Sequence, residues 1–111
     1  MATPSKGSVV LIPFPFSDLS QSKLRPSVVL ARSGKEDWIL CQVTSKRYMD
    51  AKAVEITDQN FQTGSLRVTS FARPGKLFTA NNSLIISEVG KLKNTILNSI
   101  ITSVIDILKE D

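Results

Sequence analysis

The sequence contains no histidine and only one cysteine among its 111 residues. A zinc site built from cysteine and histidine therefore cannot form within the chain, and neither can an internal disulfide. Histidine is also excluded as a general acid or base, so any catalysis must use other polar side chains. The sequence lacks a glycine-rich phosphate loop, a paired-aspartate metal motif and a Gly-x-Ser-x-Gly elbow, and we expect no cofactor and no metal.

Long hydrophobic runs are also missing. No apolar stretch reaches the length of a membrane span, and the start MATPSKGSVV lacks the apolar segment of a signal peptide. We therefore expect a soluble cytoplasmic protein that has no membrane partner.

The charge is positive and unevenly distributed. The formal net charge is +4 and the isoelectric point is near 9.5. Residues 1–80 hold 11 Lys or Arg and 6 Asp or Glu, whereas residues 81–111 have a net charge of −1. A basic body suits a polyanion or an acidic partner, although proteins that bind neither often carry a similar excess.

The apolar pattern predicts one domain over residues 1–111, of mainly β (α+β) class, with five or six short strands. Pro13 and Pro15 exclude a central strand around them, and Ser17–Leu24 and Asp58–Gly64 are predicted as a loop and a turn. Apolar residues at steps of three and four predict an amphipathic helix over Asn94–Lys109, with Asn94 as its cap. The strand segments are Ser8–Ile12, Val28–Ala31, Trp38–Val43, Ala53–Thr57, Leu66–Phe71 with Lys76–Thr79 after a kink, and the apolar stretch Leu84–Val89.

Polar residues cluster where the predicted strands end. Arg25 stands at the mouth of a strand beside Pro26, Thr44–Arg47 follows a buried strand, and Arg73 precedes a Pro-Gly kink. Each of these groups taken alone is more typical of a solvated loop or of a backbone cap. Together, loops at one edge of a small barrel would form a basic groove in which guanidinium groups bind phosphate oxygens.

Aromatic and thiol side chains have two interpretations. Phe14 and Phe16 would stack on bases beside such a groove, or they would simply pack a loop onto the core. The apolar surroundings of Cys41 favour a small buried hydrophobe over a nucleophile.

Two motifs stand near the start of the chain. Gly7–Leu19 reads Gly-x-Val-Val-Leu-x-Pro-Phe-Pro-Phe-x-Asp-Leu, and Lys23–Leu30 reads Lys-x-Arg-Pro-x-Val-Val-Leu. Together they resemble the opening of the MazF/PemK family of toxin endoribonucleases. The similarity continues through the segments Ile39–Ser45, Ser70–Thr79 and Val89–Leu92, in order along nearly the whole chain.

The resemblance implies a small SH3-like β-barrel with a C-terminal helix, which works as a homodimer. It implies metal-independent, sequence-specific cleavage of single-stranded RNA, including mRNA, and inhibition by an acidic antitoxin protein. By position, Arg25 matches the catalytic arginine of the family, Thr44 the catalytic hydroxyl and Arg73 the second arginine of PemK-type members. Many relatives carry an aspartate where this chain has Gly75, so the proton acceptor of those relatives is missing.

The expected reaction is attack of the ribose 2′-OH on the adjacent phosphate. Asp18 is the carboxylate nearest by motif that could accept the proton, and the arginines would stabilise the charge of the phosphorane. The alternative is a non-catalytic member of the same barrel fold that binds nucleic acid or a protein. The residues predicted to bind RNA are Phe16, Lys23, Ser45, Lys46, Arg47 and Lys76.

Overall fold

The computed structural model describes residues 4–15, 22–46 and 50–110. These ranges contain seven strands, two short 3-10 helices and one α-helix. The elements are β1 (Ser8–Pro15), β2 (Ser22–Arg32), β3 (Asp37–Thr44), β4 (Val54–Ile56), the 3-10 helix Asp58–Asn60, β5 (Phe61–Gly64), β6 (Ser70–Asn81), the 3-10 helix Asn82–Leu84, β7 (Ser87–Leu92) and α1 (Asn94–Lys109).

The seven strands form one antiparallel sheet in the order β4-β6-β3-β2-β1-β7-β5. The two edge strands, β4 and β5, are separated by only four residues in sequence, between Ile56 and Phe61. Both residues are buried in the same apolar cluster, so the sheet curls until its edges approach each other. The predicted small β-barrel with a terminal helix is thereby confirmed.

Both faces of the sheet are covered. The central strands carry apolar residues at consecutive positions, and because consecutive side chains point to opposite faces, both faces are apolar. On the inner face, Val9, Val28 and Cys41 pack against the helix within the first cluster. On the other face, Val10 and Val29 belong to a second cluster with Trp38, whose indole nitrogen donates a 2.8 Å hydrogen bond to Asn82 Oδ1.

The helix has the bounds that the apolar periodicity predicts, and it buries Leu97, Ile100 and Val104. Its cap differs from the prediction, because Leu97 N donates the first helical bond to the carbonyl of Lys93 and not to Asn94. Lys93 is thus the N-cap, and its side chain makes no capping bond. In the described ranges, no helix is long and apolar enough to cross a membrane.

The segment around Pro13 lies in a strand but not in a central one. β7 pairs with β1 only from Ser8 to Leu11, so among the described strands Pro13–Pro15 pairs with β2 alone. The expectation that the prolines exclude a central strand is therefore confirmed. The predicted loop to Leu24 was too long, because β2 begins at Ser22 and pairs with this proline segment.

Two predictions for the middle of the chain were wrong. Phe61–Gly64 was predicted as a turn but forms β5, because pairing with β7 and burial of Phe61 outweigh its polar composition. Leu66–Phe71 was predicted as a strand, whereas β6 begins only at Ser70. Arg67 has a φ angle of +67°, which interrupts any extended segment there.

Gly64 joins β5 to this irregular segment, and its φ angle is +75°. A Cβ atom at Gly64 would lie 2.1 Å from the carbonyl oxygen of Val89 and 2.5 Å from Gly90 Cα, both of which are backbone atoms. We expect Gly64→Ala to lower the free energy of unfolding by about 2–4 kcal/mol in urea denaturation. Gly34→Ala is the control, because its nearest neighbour would be 3.8 Å away. An equal loss in the two variants would contradict the crowding at Gly64.

Candidate functional site

The register of β2 and β3 brings Arg25 and Thr44 together. The two strands pair Ser27 with Gln42, and two residues further along each strand lie Arg25 and Thr44. Because side chains alternate along antiparallel strands, this register puts Arg25 and Thr44 on the same face in facing positions. Both residues line a cleft of about 450 Å³ at this end of the sheet.

We call this the cationic cleft. None of the described residues that line it is acidic, so all the charged side chains of this lining are positive and attract an anionic ligand. Five of the residues predicted from the sequence line it. Its lining consists of the cations Lys23, Arg25 and Lys46, the hydroxyl residues Thr44, Ser45 and Ser70, and the apolar residues Leu11, Leu24, Pro26, Val43, Leu66 and Val68.

The hydroxyl of Thr44 is held by the turn that follows β3. Thr44 is buried, and its Oγ1 accepts a 3.1 Å hydrogen bond from the backbone N–H of Lys46. A hydroxyl group that accepts one hydrogen bond keeps its own proton for donation. This bond also fixes the start of the loop, where Ser45 and Lys46 are exposed.

Arg73 lies outside the lining of the cationic cleft. The pairing of β3 with β6 passes from Val43–Ala72 to Cys41–Leu77, which makes residues 73–76 a bulge in β6. Within this bulge, Arg73 Nε donates a 3.1 Å hydrogen bond to Asp50 Oδ2, and both side chains are about one-fifth exposed. Lys76 lies in the same bulge and is exposed.

The remaining predicted site residues are Phe16, Asp18 and Arg47, which lie outside the described ranges. The structure also adds residues that sequence reasoning missed. Asp50 contacts an arginine 23 positions away, a distance at which the sequence offers no local signal. Ser70, the first residue of β6, and Val68, in the irregular segment before it, also line the cleft. The sequence pattern had suggested a regular strand over both positions.

The acidic and thiol groups of the described residues do not assemble into a metal site. In residues 4–15, 22–46 and 50–110, no three cysteine or acidic side chains are close enough to hold a metal ion. Cys41 is fully buried and donates a 3.2 Å hydrogen bond to the carbonyl of Arg73. Burial, with a smaller effect from the charge of Asp50, raises the pKa of Cys41 from 9.0 to about 12. The thiol is therefore protonated at neutral pH and is no nucleophile, as the sequence indicated.

The fold and the site define a small antiparallel β-barrel with a C-terminal helix and a cationic cleft at the strand ends. The sequence matches the family model described as PemK-like, MazF-like toxin of type II toxin-antitoxin system over residues 5–108. The chain therefore belongs to this toxin family.

Solved structures share the fold at low sequence identity. A MazE–MazF complex from Deinococcus radiodurans superposes with a TM-score of 0.77 at 15% identity, covering 100% of both chains. MazF from the same organism gives a TM-score of 0.74 at 18% identity, covering 99% of this chain and 100% of the other. An endoribonuclease in complex with its cognate antitoxin from a mycobacterial species gives 0.74 at 15% identity, covering 97% of each. No curated protein matches the sequence.

The buried thiol leads to a prediction about pH. Between pH 9 and 12 the unfolded thiol loses its proton while the folded thiol keeps it, so alkali favours unfolding by at most about 1.4 kcal/mol per pH unit. We expect the free energy of unfolding to fall more steeply above pH 9 in the wild type than in Cys41→Ala. Parallel pH profiles of the two proteins in urea denaturation would contradict this assignment.

Proposed function

We propose that this member of the toxin family is a single-domain, metal-independent endoribonuclease that cleaves single-stranded RNA, including mRNA, in the cytoplasm. The observation that carries the proposal is the cationic cleft, which combines Arg25 with the hydroxyl of Thr44 and with two lysines. Such a set of donors recognises a phosphodiester and stabilises additional negative charge on it. In the reaction, the 2′-OH gives its proton to a base and its oxygen attacks the phosphorus. The bond to the 5′-oxygen breaks and that oxygen takes up a proton, leaving a 2′,3′-cyclic phosphate and a 5′-hydroxyl.

Arg25 is the residue to which we assign the largest part of the rate enhancement. Its guanidinium cannot deprotonate, so it acts as a fixed fork of donors on the phosphorane oxygens and not as a base. One well-placed donor of this kind contributes roughly 3–4 kcal/mol to transition-state stabilisation. Pro26 directly follows it and fixes the backbone at its own position in β2.

Thr44 complements Arg25 from the neighbouring strand. Its oxygen is already held by Lys46 N, so its proton is directed by a fixed geometry and not by a freely rotating side chain. We assign it the orientation of the phosphate or of the 2′-OH. Lys23, Lys46 and Ser45 would bind the adjoining backbone of the RNA.

Arg73 is our second phosphate ligand, and Asp50 positions it. The charge-assisted hydrogen bond from Nε to Asp50 fixes the plane of the guanidinium, which determines where its other donors point. Because Gly75 supplies no carboxylate, Asp18 stays our candidate for the proton acceptor. Phe16, Arg47 and Lys76 complete the proposed RNA contacts.

The same cleft suits a protein inhibitor. One D. radiodurans structure is a MazE–MazF complex, and the mycobacterial endoribonuclease is in complex with its cognate antitoxin. A cationic groove is complementary to an acidic polypeptide segment. We infer that an acidic antitoxin competes with RNA for the cationic cleft. We also propose a homodimer, to which the exposed helix residues Ile105 and Leu108 are suited as apolar contacts.

The first test of this function is the substitution Arg25→Ala. We expect the wild type to cut mixed single-stranded RNA at discrete sites in EDTA, with cyclic phosphate ends. Arg25→Ala should reduce the cleavage rate at least about a hundredfold, since it removes the donors on the phosphorane. Lys35→Ala is the matched control, because Lys35 is exposed in the turn at the opposite end of β2 and β3.

The outcome distinguishes an endoribonuclease from a non-catalytic binding member of the same fold, the two functions left open by the sequence. Near-normal cutting by Arg25→Ala would refute its assigned role. RNA binding without any cleavage by the wild type would instead identify a non-catalytic member of the fold.

A second test concerns the positioning of Arg73. We expect Asp50→Ala to lower the cleavage rate about tenfold, because the arginine loses a charge-assisted hydrogen bond. Asp50→Asn keeps an oxygen acceptor for Arg73 Nε and should recover part of that loss. The pH dependence of the rate should be the same in both variants and in the wild type, since Asp50 does not take the proton. A shifted pH profile would make Asp50 the base instead.

A further inference from the structure

A second cleft adjoins the cationic cleft. It has a volume of about 420 Å³ and is lined by Thr57, Asp58, Gln59, Arg67, Val68 and Thr69. Val68 lines both clefts, and Leu66 of the same short segment lines the first. The segment 65–69 is therefore the wall between them, and a ligand chain that leaves the cationic cleft across Val68 enters the second.

The wall carries backbone strain at its centre. Arg67 has a φ angle of +67°, which residues with a side chain rarely adopt. Two hydrogen bonds hold it there, since Arg67 N donates to Ser65 Oγ at 2.7 Å and Ser65 Oγ donates to Asp58 Oδ1 at 2.5 Å. A side chain kept in such a conformation at the rim of a cleft, when glycine would fit more easily, indicates a use for that side chain.

The charge of the second cleft differs from that of the first. Asp58 and Arg67 contribute one negative and one positive charge, so the lining is neutral overall. A carboxylate in the lining disfavours a phosphate group, whereas a neutral mixture of donors and acceptors suits the polar edge of a nucleobase. Val68 is 58% exposed and offers an apolar surface to the face of a base.

Two polar side chains are available to read such an edge. Among the described residues, neither the Gln59 amide nor the Arg67 guanidinium has a hydrogen-bond partner, and both residues are exposed. The 3-10 helix that presents Gln59 is held by a 2.8 Å hydrogen bond from Thr57 N to Asn60 Oδ1. Glutamine pairs in bidentate fashion with N6 and N7 of adenine, and arginine with O6 and N7 of guanine.

We propose that the second cleft is a nucleobase subsite that receives a purine flanking the scissile phosphate. The proposal rests on the proposed function, because it takes the bound RNA backbone to lie in the cationic cleft. Gln59 and Arg67 read the purine edge, and Val68 contacts its face. The backbone is held by charge in one cleft, and sequence preference arises in the other.

The test uses pentaribonucleotides that carry a purine or a pyrimidine at each position next to the cut. We expect the wild type to favour the purine about tenfold in kcat/KM at one of these positions. Gln59→Leu and Arg67→Gly should bring this ratio towards one, because they lower kcat/KM on the purine substrates. Glycine accepts the positive φ angle, so Arg67→Gly removes the guanidinium without adding strain.

Matched controls are Gln62→Leu and Lys35→Ala. Gln62 is exposed in β5 and lines a different cleft beside Lys6 and Lys91, so its loss should leave the ratio intact. Lys35→Ala removes one exposed positive charge at the far end of the barrel.

Binding of 2′-fluoro pentanucleotides, which lack the attacking hydroxyl, supplies a second readout. A wild type that cuts nothing would refute the ribonuclease, and the purine preference in binding would then decide the subsite by itself. An unchanged ratio in both variants, or no purine preference in the wild type, would overturn the subsite. Cleavage with an unchanged ratio would leave the ribonuclease assignment in place.

Discussion

The pairing of β2 with β3 is the constraint on which both the core and the cleft depend. Val28 faces Cys41 and Val29 faces Leu40, and these four residues are completely buried in the two apolar clusters. With apolar residues on both faces, the apolar pattern alone would tolerate a slipped register. The polar residues at the ends of the strands disfavour such a slip, because it would move the charge of Arg25 towards the apolar middle of the sheet. Arg25 thus helps to fix the register of β2 and β3, and this register places Arg25 opposite Thr44.

Most of the fold follows from the sequence wherever burial and local pattern agree. The helix is predicted closely, apart from its N-cap, because eight apolar side chains recur with helical spacing and Gly90 precedes them. The middle of the chain is harder, since β5 is a strand only through its pairing with β7 at the edge of the curled sheet. Arg67 departs from a strand for the opposite reason, because its backbone N–H donates to Ser65 Oγ, and this bond competes with the hydrogen bonds of a strand ladder.

The site residues also differ in how far the sequence predicts their position, and the difference is again between paired strands and irregular segments. Lys23, Arg25, Thr44, Ser45 and Lys46 adjoin the ends of two strands that pair with each other, so predicting the strands also predicts their proximity. The contact between Arg73 and Asp50 joins a bulge of β6 to the turn before β4. Neither a bulge nor a turn has a periodicity that the sequence could reveal, and so this carboxylate could not be assigned in advance.

The two clefts differ in charge, and this difference bears on how inhibition by an acidic polypeptide and preference for a particular base can coexist. An acidic polypeptide gains most of its interaction in the cationic cleft, whose described lining contains Lys23, Arg25 and Lys46 and no acidic residue. The second cleft contains the carboxylate of Asp58, so an acidic ligand gains little interaction free energy there. Competition for the first cleft is therefore enough to exclude RNA, whatever base the second cleft prefers. The base preference of such a toxin can then change at Gln59 and Arg67 without altering the surface that an acidic inhibitor recognises.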